Sequence, residues 1–199
     1  HQLMVEGIEV SFNDGHYIRT KRAYIIDFEN PDNNDFLAVN QMTVMENESR
    51  RPDLVVFLNG IPLVVMELKS AIDENVGIES AYNQIQTYKK DIPSLFNYNA
   101  FNILSDGINA KVGTITSTFE WFMNWRTEDG INIEPLYKPQ FEVLIKGLLK
   151  KETLLNIIQS FILFQESKDS EFAIDGKKLG DKKTIVKILS GYHQYFAVK

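Results

Sequence analysis

Residues 53–68 constrain the fold more than any other stretch of the chain. Asp53 to Leu58 and Ile61 to Leu68 are nearly unbroken apolar runs separated by Asn59-Gly60. Asn-Gly suits the type I′ turn, in which both central residues need positive φ and whose twist matches that of paired strands. The segment therefore reads as a tight β-hairpin. Leu54-Val-Val-Phe-Leu58 and Leu63-Val-Val-Met66 do not alternate in polarity, so both strand faces are expected to be covered by helices packed above and below a sheet.

Other strands are expected at Ala23–Phe28, Phe36–Met45, Phe101–Leu104 and Val112–Thr116, with turn formers at Glu29–Asp35 and Asp106-Gly107 between them. A helix is expected over Ile78–Lys90, where Ile78, Ala81, Ile85 and Tyr88 recur at spacings of three and four, and Pro93 ends it. Strands, helix and strands in that order predict an α/β fold with a mixed sheet. Arg126–Gln140 reads as a connector, followed by amphipathic helices at Phe141–Leu149 and Lys151–Phe164. A polar segment, Gln165–Lys183, precedes the closing apolar run Thr184–Leu189. No internal repeat is evident.

At 199 residues the chain can build one substantial core. Its 44 % hydrophobic and 24 % charged residues argue against disorder. No apolar run approaches the roughly 20 residues that span a bilayer, so no membrane partner is expected. The first residues lack a secretory signal and read like the middle of a longer protein. The absence of cysteine rules out disulfides and thiolate metal sites, which suits the cytoplasm. A net charge of −6 opposes long-range attraction to nucleic acid, although basic residues cluster at Lys21-Arg22, Arg50-Arg51, Lys89-Lys90 and Lys177–Lys183.

Chemistry concentrates at the open end of the hairpin. With a two-residue turn, paired residue numbers sum to about 119, which sets Asp53 nearly opposite Met66 and within reach of Glu67 and Lys69. Alternation sends Glu67 and Lys69 to one face and Leu68 to the other. Charged groups at the ends of apolar strands are costly to bury unless they are paired or bind an ion. A hard cation such as Mg²⁺, with Mn²⁺ as a substitute, takes oxygen ligands and tolerates waters, so Asp53, Glu67 and the Leu68 carbonyl form a plausible metal set. Such a metal activates water for attack on phosphorus, and Lys69 would position that water or stabilise the oxyanions. The same spacing also makes an ordinary cross-strand ion pair worth about 0–1 kcal/mol.

Arg50-Arg-Pro-Asp53 through Met66-Glu-Leu-Lys-Ser70 resembles the Pro-Asp…(Asp/Glu)-x-Lys nuclease superfamily, and specifically the restriction (motor) subunit of type I restriction-modification enzymes. Ala81–Tyr88, Ile92–Phe96, Leu104–Gly107 and Phe119–Arg126 resemble that family as well. The resemblance implies a restriction-endonuclease-like core over residues 1–125, a helical connector over 126–183 and the start of an ATP-dependent motor over 184–199. It implies Mg²⁺-dependent cleavage of double-stranded DNA by Asp53, Glu67 and Lys69, after translocation driven by ATP. Modification and specificity subunits would be the partners. Its Gln-x-x-x-Tyr motif maps onto Gln84 and Tyr88, as DNA contacts or supports of the carboxylates. Gln194 would be the glutamine that contacts adenine at the entry to the motor. No phosphate-binding Gly-x-x-x-x-Gly-Lys-Ser/Thr loop is present, so ATP hydrolysis is not expected of this segment. His16 and His193 have no metal-ligand spacing. Some members of the superfamily use a further upstream acid, for which Glu6, Glu9 and Glu29 are candidates. A stand-alone repair or recombination nuclease, and a non-catalytic DNA-gripping or docking module, are the alternatives.

Overall fold

The computed structural model describes residues 1–70, 77–172 and 178–199. A short helix, α1 (Gln2–Glu6), precedes an antiparallel pair, β1 (Ile8–Asn13) and β2 (Ile18–Ala23). β3 (Phe36–Asn40) enters the main sheet, and a small pair, β4 (Val44–Met45) and β5 (Ser49–Arg50), branches off beside it. The hairpin follows as β6 (Leu54–Leu58) and β7 (Ile61–Leu68). Helix α2 (Ile78–Asp91) then leads to β8 (Phe101–Ser105) and β9 (Ala110–Gly113). The sheet runs β3-β6-β7-β8-β9, and only its β7–β8 pair is parallel. A parallel neighbour needs a crossover, and α2 supplies it.

The apolar hairpin is covered on both sides, as its lack of alternation predicts. Val55, Val65 and Leu104 pack against Ala81, Ile85, Tyr88 and Ile92 on the α2 face. Val64, Met66, Phe101 and Ile103 face the opposite layer, which is built by α3 (Gln140–Leu148) and α4 (Lys151–Ser160) through Leu144, Leu148, Leu154 and Ile158. The architecture is a mixed α/β sheet flanked by helices, consistent with a restriction-endonuclease-like core.

Four expectations are corrected. Tyr24–Phe28 is not a strand. There the backbone bonds to side chains instead: Asp27 N–H donates to Asn34 Oδ1 at 2.9 Å and Asn59 Nδ2 donates to the Ile25 carbonyl at 2.7 Å. Buried Ile26 plugs the core from this loop. The run Phe36–Met45 breaks at Gln41, which has φ of +50°. The second amphipathic helix stops at Ser160 rather than Phe164, because Ile162 pairs with Leu189. That pairing opens a long hairpin, β10 (Ile162–Phe172) and β11 (Lys178–Leu189), where only a polar segment and a closing run were expected. Within this region Lys177, part of the expected basic run, lies outside the described residues. The chain ends in α5 (Tyr192–Val198).

Candidate active site

The turn joining β6 and β7 is as expected, with φ of +50° at Asn59 and +80° at Gly60. The register is not. Leu58 pairs with Ile61 and Phe57 with Pro62, but Val56 pairs with Val64 and Leu54 with Met66. Leu63 is thus an extra residue, a β-bulge that moves the pairing by one position. Carried one step further, this register sets Asp53 against Glu67 rather than Met66. The bulge therefore brings the two carboxylates level.

Each acid is fixed by a separate element. Asp53 Oδ2 accepts the Leu68 N–H at 2.8 Å, which ties the end of β6 to the end of β7. On the other side, the Asp53 carbonyl accepts the Gln41 N–H at 2.9 Å. Glu67 is only 3 % exposed and lies on the α2 face of the sheet. Its Oε1 is 2.5 Å from Lys69 Nζ, and its Oε2 accepts the Tyr88 hydroxyl at 3.0 Å. Lys69 stays in line because its N–H donates to the Ser105 carbonyl at 2.7 Å, prolonging the parallel ladder with β8.

Burial raises the Glu67 pKa above the ordinary carboxylate value. The Lys69 hydrogen bond opposes that shift, and the neighbouring Asp53 charge adds to it. Burial and the Glu67 charge likewise raise the Tyr88 phenol, which keeps it a neutral donor, while a hydrogen bond with Gln84 acts the other way. Gln84, Tyr88, Glu67 and Lys69 thus form one chain of contacts running from α2 to the sheet. The helical spacing of four gives α2 this reach.

The sequence-predicted residues Asp53, Glu67, Lys69, Gln84 and Tyr88 therefore come together. The candidate upstream acids have other partners or positions: Glu6 accepts Gln2 at 2.9 Å, Glu9 pairs with Arg22 at 3.2 Å and Glu29 is exposed. Among the described residues no third acidic or histidine side chain joins the two carboxylates. Gln194 sits in α5, where its Oε1 accepts the Gly191 N–H at 2.8 Å and caps the helix. It also lines a cavity of about 640 Å³, together with Trp121 and Lys187. That cavity contains none of the cluster residues. The cluster sits instead at the end of two strands, a position suited to an extended polymer. Two contributors escaped sequence reasoning, Gln41 and Arg51. Gln41 carries no compositional signal, and Arg51 was read as part of a basic pair and of the Arg-Arg-Pro-Asp segment without a role of its own.

Comparison with known proteins now decides the family. Residues 1–121 match the family model described as the type I restriction enzyme R protein N terminus. The chain belongs to this family. The type I restriction enzyme HindI endonuclease subunit of Haemophilus influenzae is 36 % identical over the full length of the chain, which covers 18 % of that subunit. A putative type I restriction enzyme MjaIXP endonuclease subunit of Methanocaldococcus jannaschii is 32 % identical, again over the full chain and 19 % of the relative. The type I restriction enzyme EcoprrI endonuclease subunit of Escherichia coli is 29 % identical over 78 % of the chain. The chain thus spans about a fifth of the length of the first two relatives. Among the described residues no helix is long and apolar enough to cross a membrane.

Proposed function

We propose that this chain is the Mg²⁺-dependent endonuclease module of a type I restriction enzyme R subunit, hydrolysing phosphodiester bonds of double-stranded DNA. The observation that carries this reading is the bulged register that levels Asp53 with Glu67, beside the Lys69 ammonium. The donor set fits a hard divalent cation. The Asp53 charge raises the proton affinity of Glu67, and Glu67 is desolvated, so a dication would relieve both penalties. Asp53, Glu67 and the Leu68 carbonyl would hold it. When bound, Mg²⁺ supplies a more acidic water and neutralises charge that develops on the phosphate.

The protein's own groups perform the rest. Lys69 holds Glu67 and offers a cation to the non-bridging oxygens as charge grows there. Tyr88 donates to the second Glu67 oxygen, so the carboxylate has few ways to rotate. Gln84 orients the phenol from one helical turn away. In this reading sequence is recognised by the specificity subunit, methylation belongs to the modification subunit, and cleavage follows ATP-driven translocation by a motor downstream of this segment. Gln194 would contact adenine there.

The test is nicking and linearisation of plasmid DNA by the intact enzyme with Mg²⁺ or Mn²⁺. Asp53→Ala, Glu67→Ala and Lys69→Ala are each expected to lower cleavage by at least about 10²-fold and to leave ATP hydrolysis in place. Full cleavage by all three variants would sink the reading. The ion pair between Lys69 and Glu67 favours a second, non-catalytic reading as a DNA-gripping module. Calorimetric titration of Mn²⁺ separates the two: binding that disappears in Glu67→Ala supports the nuclease, and no binding by the wild-type protein supports the gripping module.

A further inference from the structure

Only two non-glycine residues among those described have φ in the left-handed region, Gln41 and Asn59. Asn59 is explained by the type I′ turn. Gln41 closes no such turn, and neither its side chain nor its neighbours favour this conformation. Strain of this kind persists where the surroundings impose it, and it concentrates at functional sites.

The surroundings of Gln41 are the cleavage cluster. β3 pairs with β6 so that Asn40 faces Leu54, and the next position in that register sets Gln41 against Asp53. The Gln41 N–H makes that last ladder bond, to the Asp53 carbonyl at 2.9 Å. The chain then swings away in the left-handed conformation. This leaves the Gln41 side chain exposed on the same end of the sheet, where its Oε1 accepts from an Arg51 Nη at 2.7 Å. The Arg51 carbonyl is in turn approached by the Tyr88 hydroxyl at 3.4 Å. Arg50 pairs with Asp91 at 2.5 Å. Arg51, by contrast, has an amide as its partner and no ion pair with an acid among the described residues. Its charge is held in place without being neutralised, two residues from Asp53.

We propose that Gln41 is a positioning residue for DNA cleavage. Its backbone fixes Asp53, and its side chain aims the Arg51 guanidinium at a phosphate flanking the scissile bond. An arginine serves there because its planar fork matches two phosphate oxygens. A neutral amide holds it better than a carboxylate would, since a carboxylate would compete with the DNA. This inference rests on the nuclease reading.

The experiment uses the full-length subunit in its complex, with plasmid cleavage measured over a range of DNA concentrations and thermal melting as the folding control. Gln41→Gly keeps the left-handed backbone and the N–H but removes the amide, freeing a charged Arg51. The expected result is a cleavage rate at saturating DNA about tenfold lower, with apparent DNA affinity within about twofold of wild type. Gln41→Glu keeps an acceptor for Arg51 but neutralises it, so apparent DNA affinity falls about tenfold, a loss that Gln41→Gly does not show. Adding Gln41→Gly to Arg51→Ala produces no further loss of rate. A merely structural role predicts instead that both Gln41 variants lose activity in step with melting temperature, and that outcome overturns the proposal. So does wild-type kinetics in both variants, or an additive double mutant. Asp53→Asn in the same complex keeps the two readings apart. If Asp53→Asn cleaves normally, the nuclease reading has failed. If it does not cleave and the Gln41 variants behave as wild type, only the positioning role has failed.

Discussion

Glu67 combines a cost to folding with the catalytic role proposed for it. Its folded-state pKa lies above the ordinary value of 4.5, chiefly because burial disfavours the anion. The folded state therefore binds a proton more tightly than the unfolded chain, and this contribution to stability is lost as pH rises through the raised value. Urea unfolding in EDTA at a series of pH values rising from 4.5 should show this fall. Glu67→Gln, which cannot ionise, is expected to flatten it. Tyr88→Phe removes the hydroxyl that stabilises the Glu67 anion, at a cost of about 1 kcal/mol. The Glu67 pKa then rises further, so the acid limb of the cleavage rate is expected to move to higher pH. An unmoved limb would show that ionisation of Glu67 does not limit the reaction.

At the scale of elements, the β6–β7 hairpin is both the core of the sheet and the frame of the site. Its tip does more than turn. Asn59 Oδ1 accepts the Asp35 N–H at 2.7 Å, and its Nδ2 donates to the Ile25 carbonyl at 2.7 Å and to Asn34 Oδ1 at 2.9 Å. Asn59→Gly keeps the positive φ but removes the bonds to the Asp35 N–H and the Ile25 carbonyl, and is expected to cost about 1 kcal/mol in denaturant unfolding. Gly60→Val places a β-branched residue at φ of +80° and is expected to cost about 1–2 kcal/mol through the turn itself. The hairpin and α2 were legible because their signals are local: an Asn-Gly turn, unbroken apolar strands, and a helical repeat of apolar residues. The β10–β11 hairpin was not. Its strands are polar or mixed along much of their length, and its pairing is set by partners rather than by an alternation visible in either strand.

Across the whole molecule, the later chain is fastened to the segment after β9 through Lys187 of β11. Its carbonyl accepts the hydroxyls of Thr114 at 2.6 Å and Thr116 at 3.0 Å, and its N–H donates to Thr116 Oγ1 at 2.8 Å. The ammonium is buried, bonded to the Asn99 carbonyl and set 5.7 Å from the centre of the Phe164 ring. Desolvation lowers its pKa to about 8. Above that value the unfolded chain binds the proton that the folded chain releases, so stability rises with pH up to the ordinary lysine value of 10.5. Thermal melting between about pH 8 and 10 should register this rise. Lys187→Met, similar in length and unable to ionise, is expected to abolish it.

Sequence alone determined the class of the fold and the residues able to do chemistry. Apolar runs, turn dipeptides and helical spacing act between near neighbours, and Asp53, Glu67 and Lys69 belong to one hairpin. Gln84 and Tyr88 lie one turn apart on the helix that follows. Tertiary structure decided how these residues meet. The bulge at Leu63 appears only in the β6–β7 register, and it sets Asp53 beside Glu67 rather than Met66. The burial that perturbs Glu67 comes from α2 and β8, tens of residues away. Gln41 reached Asp53 only through the β3–β6 register, a long-range pairing that leaves no mark on the residues around it.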